Sequence, residues 1–212
     1  MWTREELMAV AAFCIEHDLI LVSDEIHHDL VYGFAQHIPM PLISDELASR
    51  LIMLTATTKI FNIAGGLTGN VIIADDELRE RFKQTLAANG ISPNRFGIIL
   101  ATAAYQDGAG WLDELVPYLD MNRQLLDEGL NTIPGFKSMK MESTYLSWVD
   151  FSDTGMTPDV MNTKVQNEAG IAVNHGATFG TGGEYFLRFN FATQRARIEE
   201  AVARMQQVFG VL

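Results

Sequence analysis

Two short segments carry the residues best suited to chemistry. Ser23-Asp24-Glu25-Ile26-His27 follows one apolar run, and Thr57-Thr58-Lys59-Ile60-Phe61-Asn62 follows the next. Each places a reactive polar group at the end of a stretch that reads as a buried strand. A lysine can form a Schiff base with a carbonyl, and an acid can keep a pyridine nitrogen protonated; a pyridoxal phosphate (PLP) enzyme needs both. In an open α/β sheet, ligands bind beyond the carboxyl ends of the strands, which is where Asp24 falls. The competing reading of Asp24 is a turn or helix cap. Glu25, His27, His28 and Asp29 also permit a metal-dependent enzyme centred on Asp24, Glu25, His27 and His28. No second cluster with metal-ligand spacing accompanies them, and His37 and His175 stand isolated, so no metal site is assigned.

Lys59 sits among small hydroxyl residues, Thr55, Thr57 and Thr58, with Gly65, Gly66 and Gly69 after it. Hydroxyls and a flexible backbone suit a phosphate. A lysine in a partly desolvated loop can act as a nucleophile, whereas a surface loop lysine does nothing. Neither a Gly-x-x-x-x-Gly-Lys-[Ser/Thr] loop nor a Gly-x-Gly-x-x-Gly turn is present. Arg188 is the third element. In Tyr185-Phe186-Leu187-Arg188-Phe189-Asn190-Phe191, a strand period puts Phe186, Arg188 and Asn190 on one face and the other four residues on the opposite face. An arginine in such a strand needs an anionic partner, either a substrate carboxylate or a structural carboxylate.

The elements that must position these groups alternate. Residues 4–18 show apolar positions at helical spacing, and Leu19-Ile20-Leu21-Val22 is a strand-length apolar run that suits a parallel sheet covered on both faces. Further runs at Leu51–Leu54 and Val71–Ala74 predict strands, with helices at 76–89 and 93–106. The first half therefore reads as α/β. A long amphipathic helix is expected over 111–131 with Pro117 inside it, where a proline kinks the helix; the domain boundary is placed there. That gives residues 1–117 and 118–212 as two domains. Beyond the boundary, strands at 145–149 and 185–191 and helices at 158–169 and 195–209 predict a small α+β domain.

Of the 212 residues, 48% are hydrophobic, enough for a real core. A net charge of −12 with singly scattered Lys and Arg argues against a nucleic-acid or anionic-membrane partner. The lone cysteine, Cys14, cannot form an internal disulfide and fits a reducing cytoplasm. The apolar runs are too short to span a bilayer. The opening Thr3-Arg4-Glu5-Glu6-Leu7 reads as a capped helix start rather than a signal peptide. A cytoplasmic location is expected.

The order Asp24, Lys59, Arg188 resembles that of PLP-dependent enzymes of the aspartate aminotransferase fold. Within class I/II aminotransferases the chain is most similar to the cystathionine β-lyase (MalY/PatB-type) branch. The resemblance rests on Val22-Ser23-Asp24-Glu25-Ile26-His27, Thr58-Lys59-Ile60-Phe61-Asn62-Ile63-Ala64-Gly65, and Ser143-Thr144-Tyr145-Leu146-Ser147-Trp148. Val173-Asn174-His175-Gly176-Ala177-Thr178-Phe179-Gly180 and Phe186-Leu187-Arg188-Phe189-Asn190 complete it. It implies that Lys59 forms the Schiff base, Asp24 pairs with the pyridine nitrogen, and His27 stands where most aminotransferases have a tyrosine near the phenolic oxygen. Thr58, with Thr57, would contact the phosphate; Arg188, with Tyr145, would bind the substrate. Leu67 stands eight residues after the lysine, where many relatives carry a phosphate-binding arginine.

The resemblance further implies the C-terminal part of such an enzyme, a partial PLP-binding large domain with a mostly parallel sheet and then a small domain, the N-terminal half being missing. A homodimer acting on a small amino acid is expected. The implied reaction is β-elimination from a sulfur amino acid such as cystathionine. Transamination is the alternative, and a non-catalytic remnant serving as a binding or dimerisation protein is another.

Overall fold

The computed structural model describes residues 1–33 and 35–210. These form two compact units, Met1–Glu114 and Leu115–Leu212.

The first unit opens with α1 (Arg4–Glu16). Thr3 caps it in a reciprocal box: its hydroxyl accepts from the Glu6 N–H at 3.2 Å, and the Glu6 carboxylate accepts from the Thr3 N–H at 2.7 Å. The Thr3 hydrogen bonds hold the Glu6 carboxyl below its ordinary range. At the far end Asp18 turns left-handed (φ 51°) and the Leu19 N–H donates back to the Cys14 carbonyl. Leu19 is thus consumed in closing the helix. The first strand, β1, runs Leu21–Asp24, two residues later than the apolar run predicts, and Asp24 is its last residue rather than a residue beyond it.

β2 (Leu51–Thr55) pairs parallel to β1, with Asp24 opposite Leu54. The third strand, β3 (Asn70–Ile72), runs antiparallel to β2, so the three-stranded sheet β1-β2-β3 is mixed rather than mostly parallel. The chain reverses between them through left-handed turns at Asn62 (φ 53°) and Leu67 (φ 45°), not at the glycines. The sheet is not covered on both faces either. Val22 is 54% exposed and every residue of β3 is exposed. The core of this unit lies on the α1 side, where Ala11, Cys14, Met40, Leu47 and Leu51 are buried together.

Between β2 and β3 a short helix, α2 (Thr57–Ile60), carries the lysine. Helices α3 (Asp76–Ala88) and α4 (Arg95–Asp107) follow. α4 braces the lysine-bearing segment at both ends. Near its start, Asn94 caps the helix by accepting from the Gly97 N–H (2.7 Å) while its amide donates to the Gly66 carbonyl (2.6 Å). At its C-cap, Gly108 lies so close to the Phe61 ring that no Cβ would fit. α5 (Ala109–Leu130) contains Pro117 and continues into the second unit.

In that second unit, a sheet of order β4-β5-β7-β6 is antiparallel throughout: β4 (Lys137–Ser138), β5 (Leu146–Asp150), β6 (Asn174–His175) and β7 (Phe186–Asn190). Strand alternation buries Leu187 and Phe189 and leaves Arg188 on the opposite face, as the period-2 reading has it. Helix α6 (Pro158–Thr163) does not run on to 169 as an α-helix; Lys164–Glu168 widens into a π turn. The last helix, α7 (Arg195–Val208), buries Ile198, Val202 and Met205. Beneath the sheet α5 contributes a polar network. Asp127 accepts from the Ser138 hydroxyl (2.6 Å) and pairs with Arg123 (3.2 Å), and burial pushes its carboxyl above the ordinary range.

Candidate cofactor site

The sequence-derived groups of the first unit gather at one edge. β1 and β2 are adjacent and parallel, so Asp24 and the segment that follows Thr55 both emerge at carboxyl ends of neighbouring strands. Asp24 is exposed, and its Oδ1 accepts from the Ile26 N–H at 3.2 Å. The turn-capping reading of Asp24 is therefore satisfied by one oxygen. Its Oδ2 carries no hydrogen bond among the described residues. His27 is half-buried in the turn that follows, where its carbonyl accepts from the Leu30 N–H (3.0 Å).

Lys59 lies in helix α2 rather than in an irregular loop, and it is exposed, so the partial desolvation expected of it is absent among the described residues. No side chain caps α2, whose N-cap is Ala56. Thr57, at the first helical position, is 1% exposed, and its hydroxyl is buried without a hydrogen-bond partner among the described residues. A buried hydroxyl left unpaired carries a desolvation cost of about 1–3 kcal/mol, so it is a position that gains from an acceptor. Thr58 is half-buried beside it. Thr55 also belongs to this edge: its hydroxyl accepts from the Asn70 amide (3.3 Å), which also donates to Tyr105 (3.0 Å). Leu67, eight residues after Lys59, is 79% exposed.

Arg188 and Tyr145 belong to the second unit. In register, Trp148 of β5 and Asn174 of β6 flank Arg188 on either side. Asn174 Oδ1 accepts from Arg188 Nη2 (2.9 Å) and Nε (3.3 Å), and the guanidinium lies over the Phe179 ring at 4.6 Å. Trp148 stacks on Phe186 and meets Phe179 edge-on. The anionic partner that the strand pattern demands is not a protein carboxylate among the described residues. Asn174 and an aromatic face hold the guanidinium instead. Because Asn174 takes the Nε–Nη2 edge, the Nη1 side of the fork stays open to a planar acceptor. Tyr145 is half-buried just before β5, and burial pushes its hydroxyl pKa up. Its carbonyl accepts from the Phe191 N–H (3.0 Å).

Sequence spacing did not reveal the connection between Glu25 and His37. His37, read as isolated, brings its Nε2 to 2.6 Å from Glu25 Oε2. A separation of twelve positions conceals that contact, and only the apolar seat of Met40 hints that the chain doubles back there. Among the described residues no group of three or more His, Cys, Asp or Glu side chains is placed to hold a metal ion. Nor is any described helix long and apolar enough to cross a membrane.

A sequence model of the family aminotransferase class I and II matches residues 1–205. Cystathionine beta-lyase PatB of Bacillus subtilis (strain 168) is 34% identical over 207 residues, covering 97% of this chain and 54% of that protein. Protein MalY of Escherichia coli (strain K12) is 33% identical, over 96% of this chain and 52% of its own length. The chain thus spans about half the length of the curated relatives it matches. Among solved structures, cystalysin from Treponema denticola, which contains a pyridoxal 5'-phosphate cofactor, superposes with a TM-score of 0.94 at 32% identity. That match covers 100% of this chain and 54% of cystalysin. The chain belongs to the class I and II aminotransferase family, and pyridoxal 5'-phosphate is the cofactor of that family's site.

Proposed function

We propose that this chain carries the lysine-bearing part of a PLP-dependent carbon–sulfur β-lyase acting on a sulfur amino acid such as cystathionine. What supports the reading above all is the placement of Asp24 and Lys59 at the carboxyl ends of two paired parallel strands. The orphaned Thr57 hydroxyl is a second observation, since a phosphate oxygen would satisfy it. The likeness to cystathionine beta-lyase PatB favours the lyase within the family.

On this reading Lys59 would hold the cofactor through Nζ, and Thr57 and Thr58 would donate hydroxyls to its phosphate. Asp24 would offer its open carboxylate oxygen to the ring nitrogen, and His27 would serve the phenolic oxygen. When bound, pyridoxal 5'-phosphate supplies an electron sink for the charge left at Cα when its proton departs. The Lys59 amine would serve as general base for that Cα proton. Arg188 would bind the substrate's α-carboxylate through its open edge, with Tyr145 as a second substrate-binding residue. The reaction overall would be β-elimination, a sulfur amino acid and water giving a thiol, pyruvate and ammonia. The same residues serve transamination, the reading that the family's name favours.

Residues 1–117 would then form part of the cofactor-binding domain and 118–212 the small domain. Cys14, a free buried thiol, goes with a reducing cytoplasm, and a homodimer goes with the family. The test is the visible absorption of purified protein with PLP, beside Lys59→Ala. A new band that the variant lacks supports the site, and pyruvate release from cystathionine then separates lyase from aminotransferase. No Lys59-dependent band would leave a non-catalytic binding protein as the better reading.

A further inference from the structure

Glu25 is 6% exposed although it is an acid directly after the exposed Asp24, where β1 gives way to a turn. Every hydrogen-bonding part of it is engaged. Its Oε1 accepts from the Ser23 hydroxyl (2.9 Å) and the Met40 N–H (3.0 Å), and its Oε2 lies 2.6 Å from His37 Nε2. Its own N–H donates to the Leu54 carbonyl on β2 (2.9 Å), and its carbonyl lies 2.7 Å from His28 Nδ1. His28 in turn reaches Asp29 through Nε2 at 3.2 Å.

Successive residues of an extended chain point to opposite sides, and a one-residue change of register exchanges them. Anchoring the Glu25 side chain inward therefore forces Asp24 outward. The anchor is firm because Met40, whose N–H holds Glu25, is itself 2% exposed in the core of α1 and β2. A buried carboxylate stripped of a partner is costly and tends to swing to water. Such a swing would rotate the backbone that carries Asp24 on one side and His27 on the other.

We propose that Glu25 and His37 form a positioning pair that sets the direction of the Asp24 carboxylate. This rests on the assignment of Asp24 to the cofactor's ring nitrogen, but it can be tested without it. The Ile26 amide donates to Asp24 Oδ1, so its hydrogen exchange reports Asp24's orientation in protein that holds no cofactor. The variants are His37→Ala, which removes the donor, and His37→Gln, whose amide can replace it.

Loss of one hydrogen bond to a buried charge predicts about tenfold faster exchange at Ile26 and Met40 in His37→Ala. His37→Gln should restore the wild-type rates, and thermal melts should show both variants folded. PLP titration of the same three proteins, followed by the Lys59-dependent band, should show weaker binding in His37→Ala and recovery in His37→Gln. A folded His37→Ala with wild-type exchange at Ile26 overturns the pair. A wild-type chain with no Lys59-dependent band overturns the cofactor assignment instead, and the exchange rates still decide the pair.

Discussion

Replacing Gly97 by alanine tests whether α4 fixes the lysine-bearing segment by close approach. On helix propensity alone the change should stabilise the protein by about 0.5–1 kcal/mol. A Cβ there, however, would run into Thr68 Oγ1 and the Gly66 carbonyl oxygen. Thr68 could rotate away, but the Gly66 carbonyl is backbone and accepts both the Asn94 amide (2.6 Å) and the Thr68 hydroxyl (3.0 Å). Overpacking of this kind costs about 1–3 kcal/mol, and each displaced hydrogen bond about 1 more. The net expectation is a loss of roughly 1–3 kcal/mol, read as a lower denaturant midpoint with unchanged slope. Gly110→Ala, in α5, is the internal control: nothing lies within 4 Å of its added Cβ, so the same substitution should be neutral or stabilising. If Gly97→Ala proved as stable as Gly110→Ala, the close approach between α4 and residues 64–68 would not be what holds that segment.

Thr57→Val keeps the shape of the side chain and removes the orphaned hydroxyl. The cofactor-free protein should gain about 1 kcal/mol in chemical denaturation while its affinity for PLP falls; equal loss of both would mean the hydroxyl has a protein partner. Asp127 predicts a pH effect. Its folded pKa is raised by burial, so its contribution to stability is full below the ordinary carboxylate range and is lost as pH rises through the folded value. Asp127→Asn still offers an acceptor to Ser138, and should gain stability relative to the native chain as pH rises through that window. A difference in midpoint that is constant with pH would refute this.

What was legible in the sequence is what is set locally. A strand period fixes which face Arg188 takes, and an apolar run followed by an acid or a lysine marks a strand end. The capping box at Thr3 and Glu6 was readable for the same reason. What escaped were decisions made at a distance. The slide of β1 by two residues follows from Leu19 closing α1, and the reversal at β3 from left-handed Asn62 and Leu67, neither of which a glycine signals. For Arg188 the strand pattern left a substrate carboxylate and a structural carboxylate equally open; Asn174 and Phe179, which meet its guanidinium from a neighbouring strand and the turn after it, were not visible in it. The strands were expected to be buried on both faces because they are apolar. In the structure one side is packed against α1, while Val22, Val71 and Ile72 are exposed.

The parallel pairing of β1 with β2 also bears on the order of events in folding. Parallel neighbours cannot be joined by a tight turn, so the long segment between Asp24 and Leu51 must be closed before the pair can form. Closure entropy grows with the length of the loop, by about 0.6 kcal/mol per doubling. The bonds from Glu25 to His37 and Met40 divide that segment into two shorter loops. If they form early, the end of β1 that carries Asp24 and the end of β2 that leads into the Lys59 helix meet sooner, and a protein lacking those bonds refolds more slowly.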